Sequence, residues 1–255
     1  HTAFTPILQL GGAGTHHNPW LYDAEAGAIY RVLARAHMDL LPFFRVHARR
    51  ASETGYPPLA HPSLIWPGDA AGFDDPYIYV LGGDIVVAPV VTPGATARTF
   101  HLPPGRWVHW FTNEAFEGPA DVTVDAPIGS PPVFVRVGAL LPLAPGDLDT
   151  LVDVDPPRVG PSQRPFLRAW SFPGAAATVA TEEGPELEVE RTAGEIRVRV
   201  TPAATGVRDV RFLIELAHAD PPMGAPSTVS VSGSPIASGA DADSVRAGCD
   251  GVCFF

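Results

Sequence analysis

The chain has 255 residues, room for one large domain or two of ordinary size, and 45% of them are apolar, so a packed core is within reach. Its net charge is −11, arginine supplies every fixed positive charge, and no lysine occurs, so the basic face that a nucleic-acid binder needs is missing. No apolar run approaches the roughly 18 residues that suggest a membrane span, which excludes a membrane partner from this reading.

Taken in order, the first twenty residues give a short apolar segment, Ile7 to Leu10, then a glycine-rich loop ending in Thr15-His16-His17-Asn18-Pro19-Trp20. Gly11, Gly12 and Gly14 fit neither dinucleotide nor P-loop spacing, and no lysine is available to grip a phosphate, so no cofactor is expected. Asp23 is placed to cap a helix with Glu25 in its first turn. Ile29, Leu33, Ala36, Leu40 and Phe43 recur at helical spacing, Pro42 should kink or divide that helix, and Gly55 can end it in the left-handed conformation. His37 and His47 read as surface or packed helix residues. Tyr56 to Pro67 reads as an extended segment punctuated by four prolines. Asp74-Asp75-Pro76 suggests the start of a short helical turn, with the adjacent carboxylates a solvated cap rather than an acid/base pair.

From Gly82 the text becomes β-rich. Ile85 to Val91 is a β-branched strand whose Pro89 points to a sheet edge or a bulge. Arg98 to Leu102 and Arg106 to Phe111 read as two strands around a Pro103-Pro104-Gly105 turn. Val133, Val135 and Val137 alternate with Phe134 and Arg136, as in a half-buried strand. After a Pro-, Asp- and Gly-rich stretch, further strands are expected at 166–170, 187–190, 196–200, 210–216 and 228–231. Glu186, Glu188 and Glu190 against Arg197 and Arg199 predict an antiparallel hairpin turned through Ala193-Gly194, with charges paired on its wet face. Cys249 and Cys253 read either as a disulfide of an exported, periplasmic or secreted protein, or as two free thiols; two cysteines alone cannot close a tetrahedral metal site. No signal peptide is read in this chain, and a start at His1 without Met reads as a processed or excised product.

Three phrases in order, Gly83 to Val90, Leu102 to Trp107 and Pro131 to Pro142, resemble the junction between the catalytic barrel and first C-terminal sandwich of glycoside hydrolase family 31, the α-glucosidase and α-xylosidase family. Earlier words are similar to the family's last barrel units: Ala3 to Gln9, Pro19-Trp20, Leu40 to Phe44, and Gly55 to Pro62. The resemblance implies an α+β fragment, the last units of a (β/α)8 barrel followed by one or two antiparallel β-sandwich domains. Residues 1–81 would be the barrel remnant, 82–145 the proximal sandwich, 146–164 a linker or long loop, and 165–255 a distal β-rich domain with a loose tail. It also implies a retaining mechanism with two carboxyl groups about 5 Å apart. In the family both precede the point where this chain begins, so no catalytic residue is assigned here, the chain alone is expected to be inactive, and the missing N-terminal part of the barrel is its partner.

The carbohydrate expected in such a site is an α-glucoside or α-xyloside. The family's sugar-binding Arg and His positions fall on Gln9 and Gly11, a departure from its pattern. His17, the nearer to Pro19-Trp20, is the favoured replacement imidazole, with His16 beside it and Gln9 a further donor. Trp20, Trp66 and Trp107 are candidates for stacking on sugar rings, against a core role for each. The competing reading is a non-catalytic carbohydrate-binding β-sandwich module.

Overall fold

Asp23 begins the first helix as its spacing requires: the carboxylate accepts a 2.7 Å hydrogen bond from the Ala26 amide, and helix α1 runs Ala24–Asp39. A computed structural model describes residues 2–9, 11, 18–144 and the strand segments 166–171, 177–180, 186–191, 196–201, 211–215, 230–231 and 234–235. Pro42 cannot donate into the ladder of α1, so the chain breaks at Leu40 and restarts as α2, Leu41–Thr54, with the proline in its first turn. Gly55 closes α2 at φ 75°, its amide bonded to the Ala51 carbonyl at 2.8 Å. Leu40 and Phe43 are almost wholly buried.

Two elements replace the extended segment expected over 56–67: a two-residue strand β1, Leu59–Ala60, and a one-turn helix α3, Pro62–Ile65, capped by His61. The short helical turn lies before the paired aspartates, not after them: a 3₁₀ turn covers Ala70–Phe73, and Asp74 ends it. Strands β2 (Tyr79–Leu81), β3 (Ile85–Val87), β4 (Ala97–His109), β5 (Ala115–Asp125) and β6 (Val133–Arg136) follow. With β1 they form one sheet in the order β1-β2-β3-β6-β4-β5, every neighbour antiparallel.

Three sequence expectations are corrected here. Strand β3 lies inside the sheet between β2 and β6, because it ends at Val87 before Pro89 removes a donor. Pro103-Pro104-Gly105 is no reverse turn: β4 runs through it, with its pairing to β5 shifted between Leu102 and Gly105. A bulge thus absorbs the two residues that cannot donate, and the true reversal comes after His109. Strand β6 is covered on both faces rather than half-buried, since Phe134 is as inaccessible as Val133 and Val135.

That last point describes the whole sheet. Tyr79, Leu81, Ile85, Val87, Val133 and Val135 pack with Leu40 and Phe43 from the helices, while Val80, Val86 and Phe134 pack on the opposite side with Phe100, Leu102 and Trp107. The period-2 alternation divides each strand between two apolar clusters. Each large side chain so buried contributes about 1.5–3 kcal/mol before chain entropy is charged against it.

Strand β7, Leu140–Leu143, leaves this sheet and pairs antiparallel with β8, Phe166–Ser171. Strands β9 (Ala177–Ala180), β10 (Glu186–Arg191) and β11 (Ile196–Thr201) form an antiparallel sheet, and β12 (Arg211–Glu215) runs parallel to β8. In the β10–β11 hairpin Glu188 faces Arg199 and Glu190 faces Arg197, the register the charges predict; Arg199 Nη1 donates to Glu188 Oε2 at 2.7 Å. A second unit, His218–Phe255, contains the short pair β13 (Ser230–Val231) and β14 (Ser234–Pro235).

Gly82 shows how the helices meet the sheet. Its φ is 59°, its amide donates to the Pro58 carbonyl at 2.9 Å, and a Cβ there would strike the His47 ring and come within 2.7 Å of Phe43 Cζ. Gly82→Ala is expected to lower the unfolding free energy by about 2–4 kcal/mol, summing a left-handed alanine and an overpacked contact. Gly83→Ala, also at positive φ (92°) but facing open space, should cost about 1–2 kcal/mol; urea titration of the two variants separates clash from backbone strain.

Candidate functional site

Of the candidate sugar-binding positions, Gln9 lies on a segment leading away from a buried anchor. A 3₁₀ turn, Thr2–Phe4, sinks Ala3 and Phe4 to 3% and 1% exposure. His37 Nδ1 donates to the Ala3 carbonyl at 3.1 Å, and the Phe4 ring meets Trp110 edge-on at 5.6 Å and Phe111 at 6.3 Å. Beyond Pro6 the chain emerges: Ile7 is 76% exposed and Gln9 is exposed, free to present its amide to a ligand. His16 and His17 lie outside the described residues, as do Cys249 and Cys253. Trp20, in a 3₁₀ turn over Pro19–Leu21, is 68% exposed, and Leu21, Tyr22 and Val32 of α1 also face solvent.

The other two tryptophans considered for stacking pack against each other. Trp107 is fully buried, its Nε1 donating to the Pro103 carbonyl at 2.9 Å, and half-buried Trp66 meets it edge-on at 5.9 Å. Trp107 is therefore core, and stacking on a sugar is excluded for it.

Titratable groups near the sheet serve packing. Burial lowers the pKa of His37, with the Ala3 carbonyl opposing. Burial also lowers His47, opposed by the Asp84 charge and aided by Arg50, and lowers His109, opposed by the Pro131 carbonyl. All three are therefore harder to protonate in the fold than in the unfolded chain, where each takes a proton near pH ~6.5. A depressed folded value means the stabilisation is complete above that pH and is lost as pH falls through the folded values. The midpoint of thermal unfolding is accordingly expected to drop between about pH 7 and pH 5, before most carboxylates titrate; a flat profile there would contradict it.

One of the paired carboxylates is engaged too, while Asp74 faces solvent. Asp75 accepts from the Tyr77 amide at 3.1 Å and forms an ion pair with Arg98, and its carbonyl accepts from His61 Nε2 at 2.9 Å. His61, where the resemblance has an arginine, thus brackets α3 to this turn. A cluster that sequence reasoning missed joins Asp69, His101 and Asp121: the His101 ring nitrogens lie 3.1 Å from Asp69 Oδ1 and 2.8 Å from Asp121 Oδ1. Its members are 32 and 20 residues apart in sequence, so no local pattern announces them. Among the described residues no group of three or more His, Cys, Asp or Glu is arranged to hold a metal, and no helix is long and apolar enough to cross a membrane.

Each of the three sequence phrases contributes to one sheet, through β3, β4 and β6, and the third runs on into β7 of the next. Gly83-Asp84 leads into β3, Leu102 to Trp107 lies in β4, and Pro131 to Pro142 supplies β6 and β7. Arg136 of β6 donates through Nε and Nη2 to Asp84 Oδ1 at 3.0 and 2.6 Å, and its amide bonds the Asp84 carbonyl at 2.9 Å. The profile of the "Glycosyl hydrolase family 31 C-terminal domain" matches residues 55–141, the stretch from the end of α2 into β7. Over those residues the chain matches a family 31 C-terminal domain.

Its relatives agree with this family. The chain is 36% identical over 137 residues to a sulfoquinovosidase of Escherichia coli, a match covering 53% of this chain and 20% of that enzyme. It is 29% identical over 153 residues to an isomaltosyltransferase of Sporosarcina globispora, covering 55% of this chain and 14% of that one. The chain thus spans a fifth or less of these relatives. Among solved structures, a family 31 dextranase of Flavobacterium johnsoniae complexed with glucose superposes with a TM-score of 0.74 at 24% identity, over 89% of this chain and 29% of its own. A cycloalternan-forming enzyme of Listeria monocytogenes, in complex with a pentasaccharide substrate, gives 0.77 at 21% identity, over 96% of this chain and 24% of its own. At that identity the likeness speaks for the fold: an antiparallel, sheet-rich α+β arrangement of the family 31 type.

Proposed function

We propose that this chain is the C-terminal portion of a retaining α-glycoside hydrolase, that residues 1–81 complete its catalytic barrel, and that the nucleophile and acid/base carboxylates lie outside these 255 residues. The observation that carries the reading is the family 31 domain at 55–141 preceded by a helical pair whose leading edge keeps Ile7, Trp20, Leu21, Tyr22 and Val32 in water. Apolar side chains so placed are stabilised by a covering surface, and the strands of a barrel would supply one. The substrate class is an O-glycosidic sugar such as an α-glucoside or α-xyloside, which accords with the glucose- and oligosaccharide-bound relatives. In this site His17 and His16 bind sugar hydroxyls, and Gln9 donates beside them.

The isolated chain should release no 4-nitrophenol from aryl α-glucosides or α-xylosides, and a polypeptide extended to include the preceding barrel strands should. In the extended polypeptide, His17→Ala is expected to cost about ten- to a hundredfold in kcat/KM, the size of one lost hydrogen bond to the bound sugar. Unchanged kinetics would remove His17 from the site. Micromolar binding of maltose or xylose oligomers by the isolated chain would instead favour a carbohydrate-binding module.

A further inference from the structure

The turn that closes β4 onto β5 is built with more care than a surface reversal needs. His109 is 1% exposed. Its amide donates to the Glu114 carbonyl and its carbonyl accepts from the Asn113 amide, both at 2.8 Å, with Asn113 at φ 63°. His109 Nδ1 accepts from the Thr112 amide at 3.1 Å and lies 3.0 Å from its hydroxyl. An imidazole can accept there only with its proton on Nε2, and Nε2 makes no hydrogen bond of ordinary geometry among the described residues. The ring packs edge-on against Phe134 at 5.1 Å, and the Trp110 amide donates to the Val133 carbonyl at 2.7 Å. The turn is thereby fastened to the middle of the sheet.

What the turn presents is the pair Trp110 and Phe111, and both meet Phe4 edge-on. Phe4 is the last buried residue before the chain emerges toward Gln9, and Thr5 Oγ1, bonded to the Ile7 carbonyl at 2.8 Å, stiffens the exit. His37 holds the same anchor from α1, through the Ala3 carbonyl. We propose that the His109–Glu114 turn is a positioning element: through Trp110 and Phe111 gripping Phe4, it sets the course on which Ile7–Gln9, the candidate sugar-contacting residue Gln9 included, leave the core. The proposal deepens the α-glycosidase reading and rests on it for the role of that segment. It makes the β-domain a participant in ground-state sugar binding by way of the course it sets for that segment.

Two measurements test it. In the 255-residue chain, 15N relaxation at Ile7, Leu8 and Gln9 should show these amides becoming mobile in Trp110→Ala and in Thr112→Val, while Trp110→Phe restores order and Val86 and Val135 stay rigid throughout. Loosening spread equally over the sheet, or none at Ile7 to Gln9, would overturn the proposal. Where Trp110→Ala fails to fold, the isosteric Thr112→Val carries this arm. In the polypeptide extended to the barrel, Trp110→Ala should raise KM about tenfold with kcat less affected, and adding His17→Ala should change kcat/KM by less than the product of the single effects. Fully multiplicative effects would overturn it. If the unsubstituted extended polypeptide hydrolyses no α-glycoside, the α-glycosidase reading fails, while relaxation still decides whether the turn holds the segment.

Discussion

Trp107→Ala is expected to lower the unfolding free energy by about 3–5 kcal/mol, among the largest single-residue effects in this chain. The indole is wholly inaccessible, lies in the apolar cluster with Phe100, Leu102 and Phe134, and meets Trp66 edge-on. Truncation leaves a cavity that strands on either side are too constrained to fill. It also orphans the Pro103 carbonyl, which otherwise accepts from Nε1 inside the bulge of β4. Trp107→Phe keeps most of the ring and loses the hydrogen bond, so it should cost about 1–3 kcal/mol. Urea titrations of the two variants separate packing from the polar contact; a loss near zero for alanine would mean that the indole is not core.

Gly118→Ala should be comparably damaging for a different reason. A Cβ at Gly118 would run into the Pro103 carbonyl oxygen and come within 2.8 Å of the Leu102 oxygen, both backbone atoms of the paired strand. A side chain can swing away from such a contact, but here the hairpin itself must separate. A cost of about 3 kcal/mol or more is expected, with weakened pairing on either side of the Leu102/Gly105 shift. Gly27→Ala makes the contrast. Gly27 sits inside α1 with open space around its Cβ position, so alanine there should stabilise by about 0.5–1 kcal/mol. Thermal unfolding of the pair should move in opposite directions.

The parts of the fold that could be read from the sequence are those written within a few residues of themselves. Asp23, Pro42 and Gly55 begin, divide and end the helices by rules that act over one turn. The charges on β10 and β11 name their own register, because a one-residue slip would set Glu188 and Glu190 opposite apolar residues of β11 instead of Arg199 and Arg197. What could not be read depends on partners brought from afar. Pro103-Pro104-Gly105 carries every local mark of a reversal, and only pairing with β5 keeps it extended. Phe134 looks like the wet-face residue of a half-buried strand until Phe100, Phe116 and His109 cover it. The site is legible only through family phrases. Gln9 lies on the surface and Trp107 in the core, and the anchoring of Phe4 by a turn more than a hundred residues later leaves no trace in periodicity.

Strand β7 straddles two bodies of structure: Leu141 and Leu143 pack with the helical pair, the Ala144 amide bonds the Asp39 carbonyl at 2.7 Å, and the backbone pairs with β8. The family 31 domain therefore cannot be cut free along its matched limits. A polypeptide stopped just past residue 144 would bare a row of unsatisfied amides and carbonyls on a greasy ribbon. Such a product would recruit another copy of itself, making strand β8 a guard against clumping.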